Sequence, residues 1–107
     1  DMIISGGENI FCTQVEAAIH QHPGVLESAV FGIPDDQWGE AVKAVVVMKP
    51  GQAATETEII EVAASHLASY QKPKSVDFVE SLPKAPTGKI LKRELRTPYW
   101  EAARTNV

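Results

Sequence analysis
The sequence predicts an α+β fold, a small domain with an N-terminal β-hairpin and a central three-stranded sheet flanked by helices. Three observations carry that prediction. Two runs rich in Val, Ala and Ile, Val25 to Ile33 and Ala41 to Met48, are separated by the polar string Pro34-Asp35-Asp36-Gln37-Trp38-Gly39, the pattern of two strands joined by a loop. Two T-x-x-E strings, Thr13 with Glu16 and Thr55 with Glu58, have the form of helix capping boxes. Pro and Gly punctuate the chain between these periodic segments.

Taken in order, Ile3-Ile4 and Ile10-Phe11 flank Ser5-Gly6-Gly7-Glu8-Asn9 and read as a hairpin with a glycine turn. Thr13 and Glu16 are expected to open a first helix, in which Val15, Ala18, Ile19 and His22 recur at helical spacing until Pro23-Gly24. The two central strands follow, the second ended by Pro50-Gly51. Thr55 and Glu58 open a second helix with Ile59, Ile60, Ala63, Ala64 and Leu67 as its apolar stripe, closed by Tyr70-Gln71-Lys72-Pro73. A further strand is expected over about Val76 to Val79. Ile90, Leu91 and Leu95 predict a last short helix that Thr97-Pro98 interrupts, with Tyr99-Trp100 and the polar tail beyond docking back on the body.

The 107 residues suffice for one domain. The net charge of -4 conceals an asymmetry, because residues 1–71 carry -8 and residues 72–107 carry +4. Lys72, Lys74, Lys84, Lys89, Lys92, Arg93, Arg96 and Arg104 form a cationic tail that suits a phosphorylated small molecule better than a nucleic-acid duplex. No apolar run reaches the roughly 20 residues that cross a bilayer, so no membrane span is expected. The lone Cys12 has no internal disulfide partner, and a cytoplasmic location is the expectation.

Several chemistries are disfavoured. Cys12, His20, His22 and His66 are too scattered for metal-ligand spacing, so no metal site is expected, and the histidines read as helix-end residues. Gly88-Lys89 lacks the earlier glycine and the following Ser or Thr of a phosphate-binding loop, since Pro83 and Ile90 occupy those places. No G-x-S-x-G elbow is present, and Asp35-Asp36 has turn chemistry on both sides. The remaining candidate is Lys89 in Pro83-Lys84-Ala85-Pro86-Thr87-Gly88-Lys89-Ile90. Two prolines limit the freedom lost on ordering this loop, and Gly88 removes a Cβ beside the lysine, an arrangement suited to aiming a cation. An ordinary surface turn with a solvated lysine is the alternative.

Three stretches in one order carry a resemblance to a known family. They are Asp1-Met2-Ile3-Ile4-Ser5-Gly6-Gly7-Glu8-Asn9-Ile10; Gly32-Ile33-Pro34-Asp35 with Trp38-Gly39-Glu40; and Tyr70-Gln71-Lys72-Pro73-Lys74 with Leu82-Pro83-Lys84 and Thr87-Gly88-Lys89-Ile90. Together they resemble the C-terminal domain of adenylate-forming enzymes, and their spacing is similar to that of acyl-CoA synthetases. Leu95 to Glu101 is similar to the tail of bacterial fatty-acyl-CoA ligases.

The resemblance implies that residues 1–107 are a mobile C-terminal domain, a fragment that is inactive without a large N-terminal domain. The implied reaction takes a carboxylic acid, with a fatty acid expected, through an acyl adenylate at the expense of ATP and then to the CoA thioester. Lys89 matches the family's adenylation lysine. Gly6 and Gly7 match the hairpin beside the pantetheine tunnel, followed by Glu8. Trp38, Tyr70, Lys72 and Lys74 fall at expected CoA contacts. ATP and CoA are the implied nucleotides, with a Mg2+ site in the large domain. A domain that loads a carrier protein, or a non-catalytic module binding an acidic partner, are the alternatives. One departure stands out: Phe11-Cys12 replaces the Tyr-Pro that family members commonly place there.

Overall fold
The computed structural model describes residues 1–105. Strands β1 (Met2–Ser5) and β2 (Glu8–Phe11) form the expected antiparallel hairpin, with Ile3 opposite Ile10 and Ser5 opposite Glu8. Helix α1 (Cys12–Ile19) follows at once. Strands β3 (Val25–Asp35) and β4 (Gly39–Met48) pair antiparallel, and β5 (Ser75–Phe78) adds parallel to β4 to give the sheet order β3-β4-β5. Helix α2 (Glu56–Ala64) connects β4 to β5, and α3 (Lys92–Thr105) ends the described chain.

The central sheet is covered on both faces, which explains why its two long strands read as nearly continuous apolar runs. Side chains alternate across the pleat. Val30, Val42, Ala44, Val46 and Val76 meet α1, α2 and the inner hairpin residues Ile3 and Ile10 on one face. Ala29, Phe31, Val45 and Val47 meet Leu82, Ile90, Leu95 and Tyr99 on the other.

Three details depart from expectation. α1 starts at Cys12 with Phe11 at its N-cap and no side-chain cap, because β2 runs directly into the helix and places Thr13 inside the first turn. Glu16 is not a capping residue; its carboxylate accepts from the Val30 amide at 2.9 Å and pairs with Lys92 at 2.8 Å. α2 carries the expected capping box, with Thr55 Oγ1 accepting from Glu58 N at 3.1 Å and Glu58 Oε1 from Thr55 N at 3.2 Å. It ends at Ala64, earlier than expected, where Ser65 Oγ donates to the Val62 carbonyl at 2.8 Å and the next amides reach back only three residues.

The third departure is α3, which passes through Pro98 instead of stopping there. A proline inside a helix removes one hydrogen bond and crowds the preceding turn, but contacts on both sides hold this one. Leu95 and Tyr99 pack on the sheet, and Trp100 Nε1 donates to the Gly32 carbonyl at 2.9 Å. The Tyr99 hydroxyl donates to Asp77 Oδ2, while Asp77 Oδ1 pairs at 2.9 Å with the buried Lys43. The docking expected of Tyr99-Trp100 is therefore present, made by a continuous helix. Ile90 and Leu91 lie before that helix, in the lysine loop. The Arg104 side chain and the tail beyond Thr105 lie outside the described residues.

Candidate functional site
Gly6 and Gly7 form the tip of the β1-β2 hairpin, with φ of 57° and 83°. Positive φ at both positions is the two-residue turn whose twist matches a hairpin. Gly6 N donates to the Trp38 carbonyl at 2.8 Å, and a Cβ on Gly6 would lie 2.6 Å from Trp38 Cε3. The indole thus rests on bare backbone. Its own loop is shaped by Asp35, whose Oδ1 accepts from the amides of Gln37 and Trp38, each at 2.9 Å. Asp35 Oδ2 pairs with Lys74 Nζ at 3.3 Å. Donation from the Trp38 amide is the main cause holding the Asp35 carboxyl below its ordinary value; burial opposes it, and the Gln37 amide and Lys74 add to it.

These contacts enclose a groove of about 460 Å³ whose walls include Gly6, Glu8, Trp38, Tyr70, Lys72 and Lys74. Gly7 is beside it at the hairpin tip and does not line it. Tyr70 enters from a single 3-10 turn, Ser69–Gln71. Tyr70 is 48% exposed and Trp38 is 46% exposed, so both aromatic side chains are accessible from the groove. Lys72 makes no ion pair among the described residues, whereas Lys74 is held by Asp35. Glu40 carries no role in the sequence reading, yet its Oε1 accepts from Ile4 N at 2.8 Å and ties the hairpin to the sheet. Its partner lies 36 positions away, so no local pattern announces it.

Lys89 does not line this groove. It stands on a second, smaller hairpin in which Lys84 bridges Ile90, Gly88 N donates to Ala85 O at 2.8 Å, and Ala85 N donates to Lys89 O at 2.8 Å. Gly88, with φ of 90°, supplies the left-handed residue that closes the three-residue turn Pro86-Thr87-Gly88. Leu82 and Ile90 anchor the loop on the sheet, and Lys84 pairs with Glu27 at 2.7 Å. Lys89 itself is exposed and forms no ion pair among the described residues. The loop is anchored at its base and cationic at its tip.

The cationic field is narrower than the residue count suggests. Lys74 and Lys84 are paired as above, and Lys92 bridges Asp1 at 2.9 Å and Glu16 at 2.8 Å. Among the described residues no group of three or more His, Cys, Asp or Glu comes together that could hold a metal ion. Cys12 is buried, and that burial pushes its thiol up. No helix among the described residues is long and apolar enough to cross a membrane.

Comparison with known proteins adds the following. Residues 14–89 match the family described as AMP-binding enzyme C-terminal domain. The chain is 48% identical over 99 residues to long-chain-fatty-acid–CoA ligase FadD13 of Mycobacterium tuberculosis, covering 92% of this chain and 20% of that protein. It is 42% identical over 100 residues to fatty acid–[acyl-carrier-protein] ligase ScoC of Streptomyces coeruleorubidus, covering 94% and 19%. A solved Mycobacterium tuberculosis fatty acyl CoA synthetase superposes with a TM-score of 0.87 at 47% identity, over 95% of this chain and 20% of that one. The chain thus spans about one fifth of the length of the relatives it matches.

Proposed function
The chain belongs to the AMP-binding enzyme C-terminal domain family, and from that premise we propose that it is the mobile small domain of an AMP-forming acid–CoA ligase, with a fatty acid as the acid. The observation that carries this reading is the pairing, on one domain, of two unlike sites. One is an aromatic and cationic groove lined by the hairpin glycine Gly6; the other is Lys89, which forms no ion pair among the described residues, on a separate loop anchored to the sheet.

Two sites fit two steps. In the first, a carboxylate oxygen attacks the α-phosphorus of ATP, the bond to the bridging oxygen breaks, and pyrophosphate leaves. The Lys89 ammonium lies between the attacking carboxylate and an α-phosphate oxygen, offsets their repulsion and stabilises charge at the five-coordinate phosphorus. It transfers no proton. In the second step the CoA sulfur attacks the acyl carbonyl, and the carbon–oxygen bond to AMP breaks.

In the groove, Trp38 and Tyr70 offer flat faces to the adenine of CoA, and Lys72 and Lys74 offer ammonium groups to its phosphates. Gly6 makes room for the Trp38 indole, and Gly7, with open space where a Cβ would stand, lets the narrow pantetheine arm pass close to the backbone, with Glu8 bordering its path. ATP, the acid and Mg2+ are assigned to the large N-terminal domain that the family resemblance implies, and no step here runs through a metal. The buried free thiol of Cys12 accords with a cytoplasmic enzyme.

The test is Lys89→Ala in the full-length ligase. Pyrophosphate release should slow by roughly a hundredfold, the scale of one aimed electrostatic group, while thioester formation from supplied acyl adenylate falls far less. Equal loss in both half-reactions contradicts the assignment. A second reading, in which a carrier protein replaces free CoA, is favoured by the 42% identity to ScoC.

A further inference from the structure
Resting on the reading of the groove as the CoA nucleotide site, we infer that Asp35 is a positioning residue for that nucleotide: one carboxylate oxygen fixes the Trp38 loop and the other fixes the Lys74 ammonium. Asp35 is the last residue of β3, and its side chain is only 17% exposed. Both Oδ1 contacts are to backbone amides of the loop that carries the indole, at 2.9 Å each. Oδ2 meets Lys74 at 3.3 Å, across 39 positions of sequence.

Each partner is held a second time. The Trp38 carbonyl accepts from Gly6 N at 2.8 Å, and Lys74 N donates to Val42 O at 2.8 Å. Backbone placement of both residues is thereby set by the sheet and the hairpin, and the carboxylate sets what remains free, the turn that aims the indole and the direction of the lysine stem. Lys74 spends one of its three donors on Asp35 and, with a side chain 57% exposed, turns the others outward. Lys72, two positions earlier, makes no ion pair among the described residues. The groove therefore presents one cation held by Asp35 near an aromatic face, and one that forms no ion pair among the described residues. A flat base joined to phosphate meets that pattern; a bare pantetheine arm does not.

The experiment uses the full-length ligase, with pyrophosphate release and thioester formation measured separately and CoA varied in the second. Asp35→Ala should raise KM for CoA by about tenfold, the scale of hydrogen bonds lost at a charged acceptor, while pyrophosphate release changes much less. Asp35→Asn keeps an oxygen for the two amides and loses the charge opposite Lys74, so its KM should fall between the two. In a Trp38→Ala, Lys74→Ala background, Asp35→Ala should add nothing further, because it acts through those residues. An effect undiminished in that background, or equal losses in both half-reactions for Asp35→Ala and Asp35→Asn alike, overturns the inference. Should Trp38→Ala and Lys74→Ala leave KM for CoA unchanged, the nucleotide site itself is misassigned. If they raise it and Asp35→Ala does not, only the role of Asp35 fails.

Discussion
Lys43, Asp77 and Tyr99 show how single side chains fasten the last helix. Lys43 is 5% exposed and projects from β4 beneath α3, with its ammonium 5.3 Å from the centre of the Tyr99 ring. A buried ammonium is costly unless paired, and Asp77 Oδ1 supplies the partner at 2.9 Å. Burial and then the Asp77 hydrogen bond push the Tyr99 hydroxyl up to about 12 from its ordinary value of 10. That hydroxyl is the chief cause holding the Asp77 carboxyl below its ordinary value, with burial opposing and Lys43 assisting. The linkage signs follow. The Tyr99 contribution is complete below pH 10 and is lost as pH rises toward about 12. The Asp77 contribution is present above the ordinary value of 3.8 and is lost as pH falls through its lower folded value. Absorbance titration should show a tyrosine ionising near 12, and Tm should decline across that same alkaline window. Tyr99→Phe should remove the alkaline decline; a decline that persists in it counts against the assignment.

At the scale of elements, two similar strings meet different fates. Thr55 and Glu58 satisfy each other's backbone at the start of α2. Thr13 and Glu16 do not, because α1 has already begun and Glu16 is drawn to the Val30 amide on β3. Glu56 does the same for β5, accepting from Val76 N at 2.7 Å. β3 and β5 are the outer strands of the sheet, where unpaired amides invite association, and each is met by a glutamate from a helix. Thr55→Ala should therefore cost about 1 kcal/mol, whereas Thr13→Ala should stay within about 0.5 kcal/mol of neutral. Denaturant unfolding of both variants decides this, and equal costs would contradict the difference in capping.

Across the whole molecule, the two proposed sites are fastened to opposite faces of one sheet. The glycine hairpin joins the core through Ile3 and Ile10, on the face with α1 and α2. The Lys89 loop joins through Leu82 and Ile90, on the face with α3. That separation is what the proposed reading, a small domain presenting each site in a different half-reaction, requires. The same geometry bears on the acceptor. On the proposed reading, the groove's aromatic faces and ammonium groups meet the nucleotide of free CoA, which carrier-bound pantetheine lacks. The full-length enzyme is therefore expected to turn over with free CoA, and Trp38→Ala should weaken that reaction more than transfer to a phosphopantetheinylated carrier. Faster turnover with the carrier, unaffected by Trp38→Ala, would favour the second reading.

Much of the fold was legible in the chain because its causes are local. The strand runs, the glycine turn of the hairpin and the Thr55 capping box depend on neighbours a few positions apart. The motifs naming the family were legible for the same reason, and they singled out six residues that the fold brings to one groove. What failed or stayed hidden depended on distant partners. Pro98 sits within a helix because Gly32 and Asp77 hold the residues after it. Glu16 serves a strand amide 14 positions away and not its own helix. Asp35 reaches Lys74, 39 positions off, and Glu40 ties the sheet to the hairpin at Ile4, 36 positions off. The sequence alone determined the order of most elements and the family, and it singled out Lys89 as a candidate, since propensity and motifs are written along the chain. Only the tertiary structure decided which charges remain unpaired and which side chains aim the groove, because a hydrogen bond or ion pair forms only where the fold brings donor and acceptor within reach.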